Sequence, residues 1–227
     1  MEGIVLKSIS YKEKSKLVYL YTPLGKKSVL VHDLNKNVGF TTTLSIVSFE
    51  TTNQKLPVLT SYHLIESHFD LDVHKIDDIR IMLEVLEQIP EDSNHTRIYP
   101  FFIRCFDALL KSLKPQFYLL LFLTKMLSVF GVRPEFQNCV LCGNKEIASF
   151  SILDGGVLCS SCSVTNDYGL ELYRSFKELY YAKNYDAEIY SINYKMLMEA
   201  IYSYYKIHTH ISLKSFQNRL DKNKEVL

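Results

Sequence analysis

Along the first seventy positions apolar and polar residues alternate in short runs. Gly3–Ile9, Lys16–Thr22 and Lys27–His32 are rich in Val, Ile, Leu and Tyr, and Leu44–Thr51 and Leu59–Ser67 continue the pattern. A period of two with β-branched and aromatic residues predicts strands. Thr22-Pro23-Leu24-Gly25, between the second and third runs, predicts a turn, because Pro presets φ at the second position and Gly suits the fourth. Five short strands in this span predict a small barrel of OB type or a comparable sandwich. Tyr19 and Tyr21 stand two apart on one strand, so both are expected to share one face and one environment.

From about Asp70 the period becomes helical. Ile76, Ile79, Leu83 and Leu86, with Met82 and Ile89 beside them, form a stripe whose opposite face is acidic, and Asp77-Asp78 are expected on that solvated face. Glu91–Asn94 breaks the pattern. A second helix is predicted with Pro100 near its start, a stripe of Phe102, Cys105, Phe106, Leu109 and Leu113, and an end at Lys114-Pro115. Phe117–Phe130 is apolar nearly all round apart from Lys125. That is too short for a membrane span and predicts a central core helix. Gly131 stands where a helix cap is expected and Pro134 prevents continuation. Further helices are predicted over Glu171–Ala182, Asn193–His208 with Asn193 as N-cap, and Leu213–Leu220, with a frayed basic tail around Lys214, Arg219, Lys222 and Lys224. The chain thus reads as an α+β multidomain protein. A five-stranded OB-like barrel over 1–70 is followed by an all-α domain over 71–227, into which a cysteine segment, 139–162, is inserted.

That segment, CVLCGNKEIASFSILDGGVLCSSC, changes the picture from fold to chemistry. Cys139, Cys142, Cys159 and Cys162 form two Cys-x-x-Cys pairs flanking a predicted hairpin, Phe150–Leu153, Asp154-Gly155-Gly156 and Val157–Leu158. Each pair on a tight turn offers two thiolates at the separation a tetrahedral ion needs, and Gly143 suits the knuckle. One structural zinc per chain is the expected occupant, with an iron–sulfur cluster as the competing one. A thioredoxin-like site needs one pair at a helix start rather than two around a hairpin. The first residues, MEGIVLKSIS, lack the basic and apolar regions of a signal peptide. This favours the cytoplasm, where thiols bind metal rather than pair as disulfides. Cys105, on a core stripe, is expected to be an inert packed thiol.

Net charge is +1 but unevenly spread. Residues 1–60 hold eight Lys against Glu2, Glu13, Asp33 and Glu50, a net of +4, and residues 61–100 hold nine acids against Lys75, Arg80 and Arg97, a net of −6. A basic first module suggests an anionic partner, and a solvated Lys-rich surface is the alternative. The seven His residues form no metal-site spacing. His208-Thr209-His210 lies at a predicted helix end, where cations suit the dipole. No phosphate loop, G-x-S-x-G or G-x-G-x-x-G occurs. The pattern favours a binding protein over an enzyme.

Several stretches resemble the bacterial DNA repair and recombination mediators of the RecO family. They are GIVLKSISYKEKSKLVYLYTPLGKKSVLV, PEDSNHTRIYPFFIRCFDALL, FLTKMLSVFGVRPEFQNCVLCG, FSILDGGVLCSSC and YYKIHTHISLKS, in the family's order. The resemblance implies a non-enzymatic mediator with an OB-fold that binds and anneals single-stranded DNA. Double-stranded DNA is a further ligand the sequence does not separate from it. The resemblance also implies cooperation with RecR in loading RecA onto DNA coated by single-strand binding protein (SSB), and a cytoplasmic, nucleoid-associated location. For DNA it points to Lys7, Lys12, Lys14, Lys16, Lys26, Lys27, Lys36 and Tyr11, because Lys neutralises phosphates and aromatic rings stack on bases. For capture of the acidic SSB C-terminal tail it points to Arg104, Lys125 and Arg133, while a snorkelling helix lysine is the alternative for Lys125. Where the family has a Gly- and Arg/Lys-rich stretch after the third strand, this chain reads HDLNKNVGF, and residues 1–60 contain no Arg. A protein-interaction scaffold, whose barrel binds a protein rather than DNA, is therefore the rival reading.

Overall fold

A computed structural model describes residues 1–68, 71–164, 168–183, 185–187, 192–211 and 213–225, and the side chains of 73, 74 and 222–225 are not described. The chain separates into two units, one of Met1–Val73 with Ile89–Arg104, the other of His74–Gln88 with Cys105–Leu227. The expected boundary at residue 70 lies outside the described residues.

The first unit holds strands β1 (Glu2–Ser10), β2 (Ser15–Thr22), β3 (Gly25–His32), β4 (Ile46–Thr51) and β5 (Leu59–Glu66), with a short helix α1 (Val38–Thr41) between β3 and β4. The strands pair antiparallel in the order β3-β2-β1-β4-β5. Leu30 and Val58 form a parallel bridge, with the Leu30 N–H donating to the Pro57 carbonyl at 2.8 Å. That contact brings β3 to the start of β5 and closes the cycle β1-β2-β3-β5-β4, which makes the sheet an OB-type barrel. Alternate residues fill it: Val5, Val18, Leu20, Val29, Val31, Val47 and Phe49, with Phe40 from α1 stacked edge-on against Phe49 and Tyr62. The β2–β3 turn forms as expected, with the Thr22 hydroxyl donating to the Gly25 carbonyl at 2.8 Å and accepting from the Leu24 N–H at 3.1 Å.

Tyr19 and Tyr21 do share the outer face of β2, but not one environment. Tyr21 is fully buried, edge-on to His95 and beside Tyr99, whereas Tyr19 is half-buried. His95 Nε2 faces the Glu91 carbonyl at 3.1 Å, and a carbonyl only accepts. Nε2 therefore carries the proton, and Nδ1 accepts from the Tyr21 hydroxyl at 2.9 Å. Tyr99 donates to Glu2 at 3.1 Å. Burial pushes the Tyr21 and Tyr99 phenols well above their ordinary values, and for Tyr99 the Glu2 charge adds to the effect.

The helices are α2 (Val73–Gln88), α3 (His95–Lys111), α4 (Pro115–Val129), α5 (Leu170–Tyr181), α6 (Tyr194–His208) and α7 (Lys214–Glu225). α3 begins five residues before Pro100, which sits inside the helix. Pro100 has no N–H for the Thr96 carbonyl, so buried Tyr99, Phe101 and Phe102 hold that turn. Leu113 falls beyond the end of α3 and is fully exposed, not part of its stripe. α4 is the central core helix, buried at Phe117, Leu119–Thr124, Met126 and Leu127. Its end is capped by Val132 and Gly131 N–H groups returning to the Leu127 and Ser128 carbonyls at 3.0 and 3.3 Å. Asn193 caps α6, its side chain accepting from the Met196 N–H at 3.2 Å.

Two acids of α2 depart from expectation. Asp78 does not face solvent: its side chain is 1% exposed and accepts from Arg219 Nε of α7 at 3.1 Å. Glu84 accepts the Lys214 and Ser215 N–H groups, both at 2.9 Å, and so caps α7. Lys214 and Arg219 of the basic tail are consequently part of a docked helix rather than a frayed end, while the side chains of Lys222 and Lys224 lie outside those described. His208 also has a specific task, with Nε2 donating to the Ile152 carbonyl at 2.6 Å and its ring lying over Tyr204.

Candidate metal centre and nucleic-acid face

The cysteine centre is assembled by a small β element of the helical unit. Strands β6 (Ser149–Ser151) and β7 (Gly156–Leu158) form the expected hairpin. Residues 135–140 run along β7, with Glu135 N–H to Gly155 carbonyl, Val157 N–H to Glu135 carbonyl and Val140 N–H to Val157 carbonyl, all at 3.0 Å. This approach needs glycine at 156, where a Cβ would come within 2.7 Å of the Glu135 carbonyl oxygen and of Val140 Cγ1. The Glu135 carboxylate accepts from the Gln137 N–H at 2.6 Å and the Asn138 N–H at 3.2 Å, which shapes the entry to the first knuckle.

In that knuckle Gly143 N–H donates to the Cys139 carbonyl, and Cys139 N–H to the Asn144 carbonyl, both at 2.8 Å. Gly143 has a φ of 76°, a left-handed conformation that costs glycine little. The second knuckle is a turn in which Cys162 and Ser163 N–H groups donate to the Cys159 carbonyl at 3.0 and 2.9 Å. The four Sγ atoms lie within 4.8 Å of one another, and Cys142 Sγ is 3.6 Å from Cys159 Sγ. A tetrahedral ion with metal–sulfur bonds of about 2.3 Å needs sulfurs about 3.8 Å apart, so the cluster has the right size to hold a metal ion. Burial opposes charge on Cys139, but N–H groups of Cys159, Cys142 and Leu141 outweigh it and bring this thiol down to about 6. The Asn144 N–H lowers the Cys142 thiol, but hydrogen bonds with the Cys159 and Cys139 sulfurs leave it raised. Those with Cys142 and Cys159 push the Cys162 thiol up to about 12. A metal ion takes its ligands as thiolates and so would displace protons on binding. Cys105 is buried and stands outside the cluster.

An aromatic cluster backs the centre. Phe136 stacks on Phe150 at 5.7 Å and meets Phe176 and Tyr180 at 5.6 and 5.4 Å, and Phe176 meets Tyr204 at 5.8 Å. The centre is thereby tied to α5 and α6.

The barrel carries the residues expected to meet DNA. Lys7, Lys12, Lys14, Lys26, Lys27, Lys36 and Tyr11 are exposed and Lys16 is half-exposed. They do not converge on one place. Tyr11, Lys12 and Lys14 lie in the β1–β2 loop, beside Lys16 at the start of β2, and Lys36 lies in the β3–α1 loop. A cleft of about 430 Å³ at this rim is lined by Glu13, Lys14, Asp33, Leu34, Asn35 and Lys36. Lys26 and Lys27 sit at the opposite end of the strands, opposite Tyr21 and Leu20. Lys7 lies across from Tyr19 on the outer face, its Nζ 5.4 Å from the ring centre, and Lys12 Nζ lies 5.6 Å from the Tyr11 ring.

Lys125 is half-buried on α4 and donates to the Tyr180 and Ala182 carbonyls at 2.6 and 2.8 Å. It thus caps the C-terminus of α5, and burial lowers its ammonium from the ordinary value. Arg104 and Arg133 are exposed. Sequence reasoning missed the Tyr21–His95 pair, the Asp78–Arg219 pair and the Glu84 cap. Each joins residues far apart in the chain, and no local pattern marks them. Among the described residues no helix is long and apolar enough to cross a membrane.

An OB-type barrel with a basic rim, followed along the chain by a helical unit that carries a four-cysteine centre, defines a two-unit protein of the α+β class. Residues 79–215 match the family described as Recombination protein O C terminal, and the chain belongs to that family. DNA repair protein RecO of Bacillus mycoides (strain KBAB4) is 24% identical over 241 residues, covering 98% of this chain and 97% of the relative. The RecO of Bacillus cereus (strain AH187) matches with the same identity and coverage. Family membership places the protein in DNA repair and recombination.

Proposed function

We propose that the chain is a non-enzymatic recombination mediator. It binds and anneals single-stranded DNA through the barrel and, with RecR, helps load RecA onto SSB-coated DNA. The observation that carries this reading is similarity to DNA repair proteins RecO along nearly the whole chain, barrel included. Lys contacts to phosphate and aromatic stacking are the physical means. The rim of Tyr11, Lys12, Lys14, Lys16 and Lys36 takes the larger share, and Lys7, Lys26 and Lys27 extend the contact. Arg104, Arg133 and Lys125 serve the acidic SSB tail. Lys125 acts there by fixing the end of α5, since its ammonium is already engaged by two carbonyls. Zinc occupies the cysteine centre, where four thiolates leave no open position for a reacting water, so its role is to hold the knuckles and hairpin together.

The test is anisotropy of a labelled single-stranded oligonucleotide across a salt series. Binding that weakens steeply with salt supports the mediator. Absence of binding at low salt transfers the barrel to the scaffold reading, which the lack of Arg in residues 1–60 favours.

A further inference from the structure

The four thiols of the metal centre differ in access. Cys139 and Cys159 are buried to 2% and 1% exposure and Cys162 is half-buried. Cys142 alone of the four is exposed, on a knuckle whose Leu141, Gly143 and Asn144 are exposed as well. Its sulfur lies 3.6 Å from that of buried Cys159, which belongs to the other knuckle. A small oxidant therefore reaches one sulfur first, and a second sulfur that the oxidant cannot reach is already in contact with it.

We propose that the centre is a peroxide-responsive thiol switch in which oxidation starts at Cys142 and resolves as a Cys142–Cys159 disulfide, with loss of the metal ion. This rests on the zinc reading above. In the first step the Cys142 thiolate attacks hydrogen peroxide. An S–O bond forms, the O–O bond breaks, and the products are a sulfenic acid and hydroxide. In the second, the Cys159 thiolate attacks the sulfenyl sulfur, the S–S bond forms, and the S–O bond breaks to release a second hydroxide. The two sulfurs supply the two electrons that reduce the peroxide, and the hydroxides take protons from solvent. Only Cys139 and Cys162 then remain as ligands, too few for a structural zinc site.

The choice of pair matters. A disulfide within either Cys-x-x-Cys motif would leave the knuckles joined only through the backbone hydrogen bonds of residues 135–140 to β7 once the ion departs. The cross-knuckle bond instead replaces the ion as a tie between residues 139–144 and the end of β7, so the hairpin stays in place. A dithiol reductant then restores the thiolates and the capacity for metal.

The experiment treats the zinc-loaded full chain with hydrogen peroxide and follows zinc release with a chromogenic chelator. A sulfenic-acid trap and non-reducing peptide mapping locate the oxidised residues. The expected result is first trapping at Cys142, a disulfide joining Cys142 and Cys159, one zinc lost per disulfide, and recovery with dithiothreitol and added zinc. Cys105→Ala leaves all of this unchanged. First trapping at Cys162, disulfides confined within the motifs, or retention of zinc after the disulfide has formed would overturn the switch. A chain that takes up no zinc before any oxidant is added removes the metal reading itself. A zinc-loaded chain that oxidises elsewhere removes the switch alone.

Discussion

Asp78 places its carboxyl where burial disfavours the charged form. Its side chain is 1% exposed, its Oδ1 accepts from Arg219, and its Oδ2 has no hydrogen-bond partner among the described residues. Burial raises its carboxyl above the ordinary value, and the Arg219 charge and hydrogen bond offset part of that rise. A carboxyl whose folded pKa exceeds its unfolded one binds more protons in the fold, so its contribution to stability declines as pH rises through that window. Removing Arg219 widens the window. Arg219→Met is therefore expected to cost about 3 kcal/mol near neutral pH, and less as pH falls and Asp78 takes up its proton. Denaturant melts at several pH values check the sign, and a loss independent of pH would show that Asp78 is not the group involved. Tyr21→Phe is a milder change. It leaves His95 Nδ1 without its donor and should cost about 1–2 kcal/mol in the same assay.

Among elements, α7 and the cysteine hairpin depend on partners outside themselves. The α7 sequence KSFQNRLDKNKE has no acid in its first turn, so its N-terminal N–H groups rely on Glu84 of α2, 130 positions earlier in the chain than Lys214. Glu84→Ala should cost about 1 kcal/mol and raise amide exchange in α7 before other helices. β6 and β7 are three residues each, too short to stand alone. Stripping the metal with a chelator should therefore expose hairpin and knuckle amides to exchange while α4 stays protected. The strands, the hairpin, the central helix and the Asn193 cap were legible because hydrophobic period and turn chemistry write them locally. The four-cysteine centre was legible because its ligands recur at a fixed spacing. Asp78 was not: an acid in a helical pattern looks solvated until the helix that covers it is known. Pro100, expected near the start of α3, lies five residues inside it, where burial of Tyr99, Phe101 and Phe102 offsets its missing N–H. Tyr21 differs from Tyr19 only through His95 and Tyr99, which the strand pattern does not contain.

For the whole molecule the distribution of Lys on the barrel decides how a nucleic acid would lie. Five β2 positions separate Lys16 from Tyr21, the residue opposite Lys26, or about 17 Å at the rise of a strand. The rim set and the Lys26-Lys27 set are thus two separate sources of positive potential, and they can be tested separately. Each phosphate contact on a single strand contributes about 0.7 to the slope of log affinity against log salt. Lys12→Ala, Lys14→Ala and Lys36→Ala together should then flatten the slope by about 2 and weaken binding at every oligonucleotide length. Lys26→Ala with Lys27→Ala should leave short oligonucleotides nearly unaffected and weaken only those long enough to reach along the strands past Lys7 and Tyr19. Equal losses from both sets on a short oligonucleotide would mean that the rim is not the primary contact. Losses from Lys26 and Lys27 alone would move the site to the β2–β3 turn.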